Sequence, residues 1–339
     1  MEHLDENAIL ELLEHRMSPS HRAAAEKHLD GCPSCLELLA LLAADAPIPV
    51  ELGPTELDVT RHVVASRLSP GDRLGRFVLE RVVGEGGMGV VWAARDDSTD
   101  ARSSVALKVL KEVSPAERKR FLREASLMFG FDHPGIVDVK EVLPIGDDVV
   151  LVMDLLDGES LGARLSRVGS FDVAGTIAIL LPLIDAVAAA HARGVVHRDL
   201  KPENVFIERD GRVRLLDFGM AKLSSTLDLA VSGWLTESGL VLGTPHYMAP
   251  EQIVGERDVD ARADIWAMGV IAYECLSGVR PVQGRSFGQI LRALERREIV
   301  DLGERAPAVP IALRELVARM LSHDRAARPS LEEIRAALA

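Results

Sequence analysis

Apolar positions in the first 45 residues recur at helical spacing, in short pieces. Ile9, Leu10, Leu12 and Leu13 open one run, and Ser18-Pro19 starts a second with a capping residue followed by proline. Gly31 stops that helix, and a third apolar run extends from Leu36 to Leu42. Residues 46–72, from Ala46-Pro47-Ile48-Pro49 to Ser69-Pro70-Gly71-Asp72, keep no period and read as a linker. From residue 73 the chain first alternates as strands do, through Phe77-Val78-Leu79, Val82-Val83, Val90-Val91-Trp92-Ala93-Ala94, Val105-Ala106-Leu107 and Val149 to Met153. A helical stretch from Ala116 to Phe129 interrupts these, with Phe121, Ala125, Met128 and Phe129 on one face and Glu124 beside them. Later residues read as helices, among them an apolar one from Ile265 to Leu276 that stops before Gly278 and carries Cys275 as inert core. The pattern predicts an all-α piece over 1–45 and an α+β domain over 73–339.

The 339 residues are 47% hydrophobic and 27% charged, a mix able to bury a core. A formal net charge of −13 argues against a nucleic-acid-binding face. No apolar run approaches the ~18–20 residues of a membrane span. The longest, Ile177 to Ile184, carries Pro182 and stops at Asp185. Met1-Glu2-His3-Leu4-Asp5-Glu6 is acidic where a secretory signal is basic. Three cysteines are too few for a disulfide scaffold, and Cys32 and Cys35 form a C-x-x-C that points to metal or redox chemistry. A soluble cytoplasmic protein is expected.

Gly84-Glu85-Gly86-Gly87-Met88-Gly89 fits G-x-G-x-x-G. The same spacing marks dinucleotide sites, which need a helix directly after the glycines. Here β-branched and aromatic residues flank both sides, which predicts strand–turn–strand, a hairpin whose bare tip can lie over phosphates. Further motifs follow in order: Val105-Ala106-Leu107-Lys108, His197-Arg198-Asp199-Leu200-Lys201-Pro202-Glu203-Asn204, Asp217-Phe218-Gly219, and Gly243-Thr244-Pro245-His246-Tyr247-Met248-Ala249-Pro250-Glu251. Over residues 73–339 this set resembles the bacterial eukaryotic-like (Hanks-type) Ser/Thr protein kinases.

The resemblance implies a two-lobed fold, with a small β-rich lobe at 73–156 and a larger helical lobe at 157–339. It implies transfer of the γ-phosphate of ATP to protein Ser or Thr, a reaction that asks the protein mainly to position reactants and offset phosphate charge. Lys108 would bind the α- and β-phosphates, held by Glu124. Asn204 and Asp217 would hold Mg²⁺ (or Mn²⁺), which prefers oxygen ligands. Asp199 would orient the attacking hydroxyl, Lys201 would neutralise the γ-phosphate, and Thr244 would brace both. The glycine hairpin (Gly84, Glu85, Gly86, Gly87, Met88, Gly89) would cover the phosphates. Val91 and Ala106 would cover the adenine, Met153 would close the back of its pocket, and the backbone of Asp154 and Leu156 would meet the base edge. Asp264 is expected to cap backbone beside the catalytic loop and Arg328 to pair with Glu251. Arg198 would pair with a phosphate on the activation segment, where Thr236 and Ser238 are the favoured autophosphorylation sites.

His28, Cys32 and Cys35 read H-x₃-C-x₂-C, a donor set suited to tetrahedral Zn²⁺. Residues 1–45 have little core of their own, so a metal staple makes physical sense. They resemble the zinc-binding anti-sigma-factor domains of bacteria. Where that family has an upstream cysteine this chain has His3, with His15 and His21 as other candidates for the fourth ligand. The module would bind a regulatory protein or control the kinase, or its Cys32/Cys35 pair would act as a redox switch. Rival readings are a pseudokinase, a partner-sequestering scaffold and a small-molecule kinase. Filled catalytic positions oppose the first, and the Gly-Thr-Pro to Ala-Pro-Glu segment opposes the last.

Overall fold

The computed structural model describes residues 68–86, 89–98, 103–110, 131, 133–145, 148–217, 245–256, 258–284 and 286–339, together with His21, Ala25 and His28, each of which is helical. The chain divides into two units. One comprises Met1–Asp132 and Asp138–Leu155; the other comprises His133–Val137 and Leu156–Ala339. Most of the expected helical module, the linker up to residue 67 and the expected helix from Ala116 to Phe129 lie outside the described residues.

In the first unit, the alternating runs form one antiparallel sheet. Its strands are β1 (Arg73–Leu74), β2 (Phe77–Gly86), β3 (Gly89–Asp96), β4 (Ser104–Leu110), β5 (Val139–Ile145) and β6 (Asp148–Asp154), in spatial order β1-β2-β3-β4-β6-β5. Because successive side chains alternate between faces, Val90, Trp92 and Ala94 of β3 share a side with Val105, Leu107 and Val109 of β4 and Val150 and Val152 of β6. Phe77 and Leu79 complete this core. Each large side chain buried there is worth about 1.5–3 kcal/mol, so this face holds the sheet together. The intervening positions share the opposite face: Val91, Lys108 and Leu151 form one cross-strand row, and Ala93, Ala106 and Met153 the next.

Strand β2 departs from simple alternation. Register shifts between Leu79 and Arg81 and between Val82 and Gly84 leave Val82 and Val83 exposed. At the other side of the hairpin, a Cβ on Gly89 would lie 2.2 Å from the Val109 carbonyl oxygen. Only glycine allows β3 to begin that close to β4.

The second unit contains α1 (Leu161–Val168), α2 (Val173–Ala192), α3 (Pro250–Ile253), α4 (Arg262–Ser277), α5 (Phe287–Glu295), α6 (Leu302–Arg305), α7 (Ile311–Met320) and α8 (Leu331–Leu338). A small antiparallel sheet of β7 (Gly158–Ser160), β8 (Val205–Glu208) and β9 (Val213–Leu215) carries the loops of interest. Helix α4 is the core element, buried continuously from Ala263 to Tyr273, and Gly278 stops it in the left-handed region at φ 74. Cys275 is buried within it, and burial pushes its thiol up to about 12, as suits inert core.

One expectation needs correction. The apolar run from Ile177 stops at Asp185, but the helix does not: α2 runs for 20 residues through Pro182 and Asp185, so an element of membrane-span length is present where none was expected. By length and composition alone it could cross a membrane. Its Ile179, Leu180, Leu183, Ile184, Val187 and Ala190 are buried in the second unit, and Asp185 pairs outward with Arg335 of α8 at 2.7 Å. This is the packing of a core helix.

Candidate active site

The segment between α2 and β8 is positioned by one buried carboxylate. Asp264, fully buried in the first turn of α4, accepts the His197 N–H on Oδ2 at 2.9 Å and the Arg198 N–H on Oδ1 at 2.8 Å. The capping role expected of Asp264 is therefore what the structure shows. His191, in the last turn of α2, donates from Nε2 to the same Oδ2 at 2.7 Å. Arg198 is held at φ 64, a conformation that costs a non-glycine residue about 1–3 kcal/mol and persists only where its surroundings fix it. Gln252 of α3 supplies a further restraint, donating to the Arg198 carbonyl at 2.8 Å.

His197 bonds with both ring nitrogens. Its Nε2 donates to the Leu216 carbonyl at 2.9 Å, and its Nδ1 accepts the Asp199 N–H at 3.3 Å; these partners fix the tautomer. Beyond it, Lys201 Nζ lies 2.6 Å from Asp199 Oδ2. Buried Asn204 donates from Nδ2 to the Asp199 carbonyl at 2.8 Å and to Oδ2 at 3.3 Å. Both donors take the same carboxylate oxygen, so Oδ1 is the one left to meet a reactant. The Leu216 N–H donates to the Asn204 carbonyl at 2.8 Å, which brings Asp217, at φ 56, next to the same loop. Asp199, Lys201, Asn204 and the backbone of Asp217 thus come together within the second unit.

The Arg328–Glu251 pair expected from the sequence is present, bidentate and buried, at 2.6 and 2.8 Å. Arg328 also donates to the Ser322 and Arg262 carbonyls and lies over the Trp266 ring. Next to this pair, Tyr247 donates to Glu274, which also faces Arg280 at 3.6 Å. Burial pushes both Tyr247 and Glu274 above their ordinary values. His246 donates to the Gly284 carbonyl at 3.0 Å, and burial lowers its pKa.

In the first unit, Val91, Ala106, Lys108 and Met153 share the face opposite the core, with Lys108 itself buried. The glycine turn joins two paired strands, Gly84 opposite Val91, Glu85 opposite Val90 and Gly86 opposite Gly89. No helix follows it, which removes the dinucleotide alternative. The Asp154 N–H donates to the Asp138 carbonyl at 3.3 Å, so a base edge would meet its carbonyl instead. Leu156 is half-buried in the second unit.

A protein kinase domain model matches residues 77–337. The chain belongs to the protein kinase family. Among its relatives, the chain is 39% identical over 274 residues to Serine/threonine-protein kinase pkn2 of Myxococcus xanthus, covering 78% of this chain and 32% of the relative. It is 34% identical over 274 residues to PkaB of Streptomyces coelicolor, covering 78% and 62%. With PknA of Mycobacterium tuberculosis it shares 39% over 218 residues, covering 62% and 48%. The chain thus spans between 32% and 62% of the length of these relatives. A zinc-finger model matches residues 6–36 of the chain, a span that contains His28, Cys32 and Cys35 and begins after His3.

For the magnesium that the protein kinase family implies, the donor chemistry fits. Asn204 spends its Nδ2 on Asp199 and presents Oδ1, and Asp217 adds a carboxylate, an oxygen set suited to a hard cation. Glu124, Thr244, Gly87, Met88, His3, Cys32 and Cys35 lie outside the described residues, as do Thr236 and Ser238. No group of three or more His, Cys, Asp or Glu side chains that could hold a metal occurs among the described residues. Sequence reasoning missed His191 and Gln252. The histidine had a signal, standing six residues before His197 at the end of an apolar run; the glutamine had none.

Proposed function

We propose that the chain transfers the γ-phosphate of ATP to Ser or Thr of protein substrates. The observation that carries this reading is the Asp199 carboxylate, with Oδ2 held by Lys201 and Asn204 and Oδ1 left for a hydroxyl. Asp199 orients that hydroxyl and takes its proton, while Lys201 offsets charge on the phosphoryl group as the bond to the leaving oxygen loosens. Asn204 and Asp217 would hold Mg²⁺, which would supply charge neutralisation at the phosphate oxygens. Lys108, Val91, Ala106 and Met153 serve the nucleotide from the sheet face, with the glycine hairpin over its phosphates. Glu124 holds Lys108, Thr244 braces Asp199, and the backbone of Asp154 and Leu156 meets the base. The names of the relatives support turnover over a pseudokinase scaffold.

We further propose domains at 1–45, 46–72 and 73–339, with Zn²⁺ in the first held by His28, Cys32, Cys35 and His3. The zinc-finger match supports the metal, and the module would bind a regulatory protein in the cytoplasm. Arg198 would meet a phosphate on the activation segment. Among the described residues its Nε is buried without a partner, and its Nη2 donates to the Val259 carbonyl at 3.1 Å.

The test is transfer of labelled γ-phosphate from ATP to the protein and to a generic basic substrate, with Asp199→Asn as blank. Label lost in the variant is the expected result. Equal label in both would end the proposal.

A further inference from the structure

An open groove of about 650 Å³ lies in the second unit, outside the residues assigned to phosphoryl transfer. One wall is the outer face of α5, with Gln289, Arg292 and Arg296; the other is Gln283-Gly284. The groove is built by close packing. Ile290 and Leu294 bury the inner face of α5, and a Cβ on Gly284 would lie 2.8 Å from Ile290 Cγ1. Any side chain at 284 would push the two walls apart. The Gly284 carbonyl accepts the His246 Nε2 bond, which ties this wall to the turn that follows Thr244. That turn belongs to the Gly-Thr-Pro to Ala-Pro-Glu segment, which the kinase reading gives to the protein substrate.

The groove's charge is the reverse of the chain's. Two guanidinium groups and two carboxamides line it against one carboxylate, Glu298, which meets Arg296 at 3.7 Å. The Arg292 side chain is exposed and has no hydrogen bond or ion pair among the described residues. In a chain of net charge −13, such a donor-rich hollow beside the substrate turn is selective for negative charge.

We propose that this groove docks an acidic stretch of the protein substrate, with Arg292 and Arg296 as specificity-determining residues. The inference rests on the kinase reading above and extends it to substrate class. Exposed charge pairs contribute modestly, so two of them are worth about three- to tenfold in apparent affinity, expressed in KM and not in kcat.

The experiment compares a serine peptide flanked by glutamates with its alanine-flanked counterpart, using the full chain and Arg292→Glu/Arg296→Glu. Both substituted side chains are solvent-facing, so the variant folds. Kinetics give KM and kcat, and fluorescence anisotropy of the labelled peptides gives binding independently of turnover. Expected are tighter binding and lower KM for the acidic peptide, both lost in the variant, with kcat on the alanine-flanked peptide unchanged and the preference weakened by salt. Phosphorylation of both peptides with one ratio in wild type and variant would overturn the groove and leave the kinase reading standing. Arginine-dependent binding without any phosphorylation would support the groove as a docking site and overturn the kinase reading. Absence of acidic-peptide binding in either protein would overturn the groove.

Discussion

Asp264→Asn changes one atom type and tests the whole arrangement of the catalytic loop. The carboxylate accepts from three donors, the N–H groups of His197 and Arg198 and His191 Nε2. An asparagine can accept on one side only; its NH₂ must face a backbone N–H or the imidazole N–H. A hydrogen bond to a charged acceptor contributes about 1.5–3 kcal/mol, and leaving a buried donor unpaired costs about 1–3 kcal/mol more. The sum is about 2.5–6 kcal/mol, a large share of a domain's total stability. Over most of that range it exceeds the roughly 1–3 kcal/mol of strain held at Arg198, so the loop relaxes and carries Asp199 away from its place. Misplacement by about 1 Å lowers kcat on the order of a hundredfold. Urea denaturation monitored by tryptophan fluorescence reads the first effect, and steady-state phosphotransfer reads the second. A variant with unaltered denaturation midpoint and kcat within about twofold of the parent would refute the reasoning.

Glu251→Gln alone should destabilise by about 3–5 kcal/mol, because it leaves Arg328 charged and buried, while Glu251→Leu with Arg328→Met should recover much of that; denaturation midpoints check both. Gly89→Ala should disrupt the β3–β4 edge and raise KM for ATP, whereas Gly86→Ala, with open space at its Cβ, should not; nucleotide titrations compare the two. Glu274 has its folded pKa raised by burial, so the folded state favours its neutral form. Its contribution is fully present below the unfolded value of 4.5 and is lost as pH rises through the raised folded value. Glu274→Gln should therefore gain melting temperature over the parent at pH 8 and lose that advantage toward pH 4; an equal difference at both ends would contradict the assignment.

Much of the proposed site is legible in the sequence because phosphoryl transfer needs particular residue types at fixed intervals, and the chain carries them in that order. Strands could be read from β-branched runs, and the hairpin around the glycines from the absence of a helix-forming stretch after them. Asp264 and Arg328 were readable only through the family resemblance, since nothing local explains a buried aspartate in an apolar helix. Helix α2 was misjudged because Pro182 and Asp185 look like terminators in one dimension. In three dimensions Asp185 faces Arg335 at the surface and the helix continues. Gln252 could not be foreseen, because its partner is a main-chain carbonyl 54 positions away.

Asp264 grips the loop through main-chain amides and leaves the side chain of residue 198 out of the bargain. Geometry and the proposed control are thereby separable: a replacement at 198 would remove a response to activation-segment phosphate while the carboxylate at 199 keeps its place. The same architecture can accordingly yield a switched enzyme or a constitutive one through a single side chain.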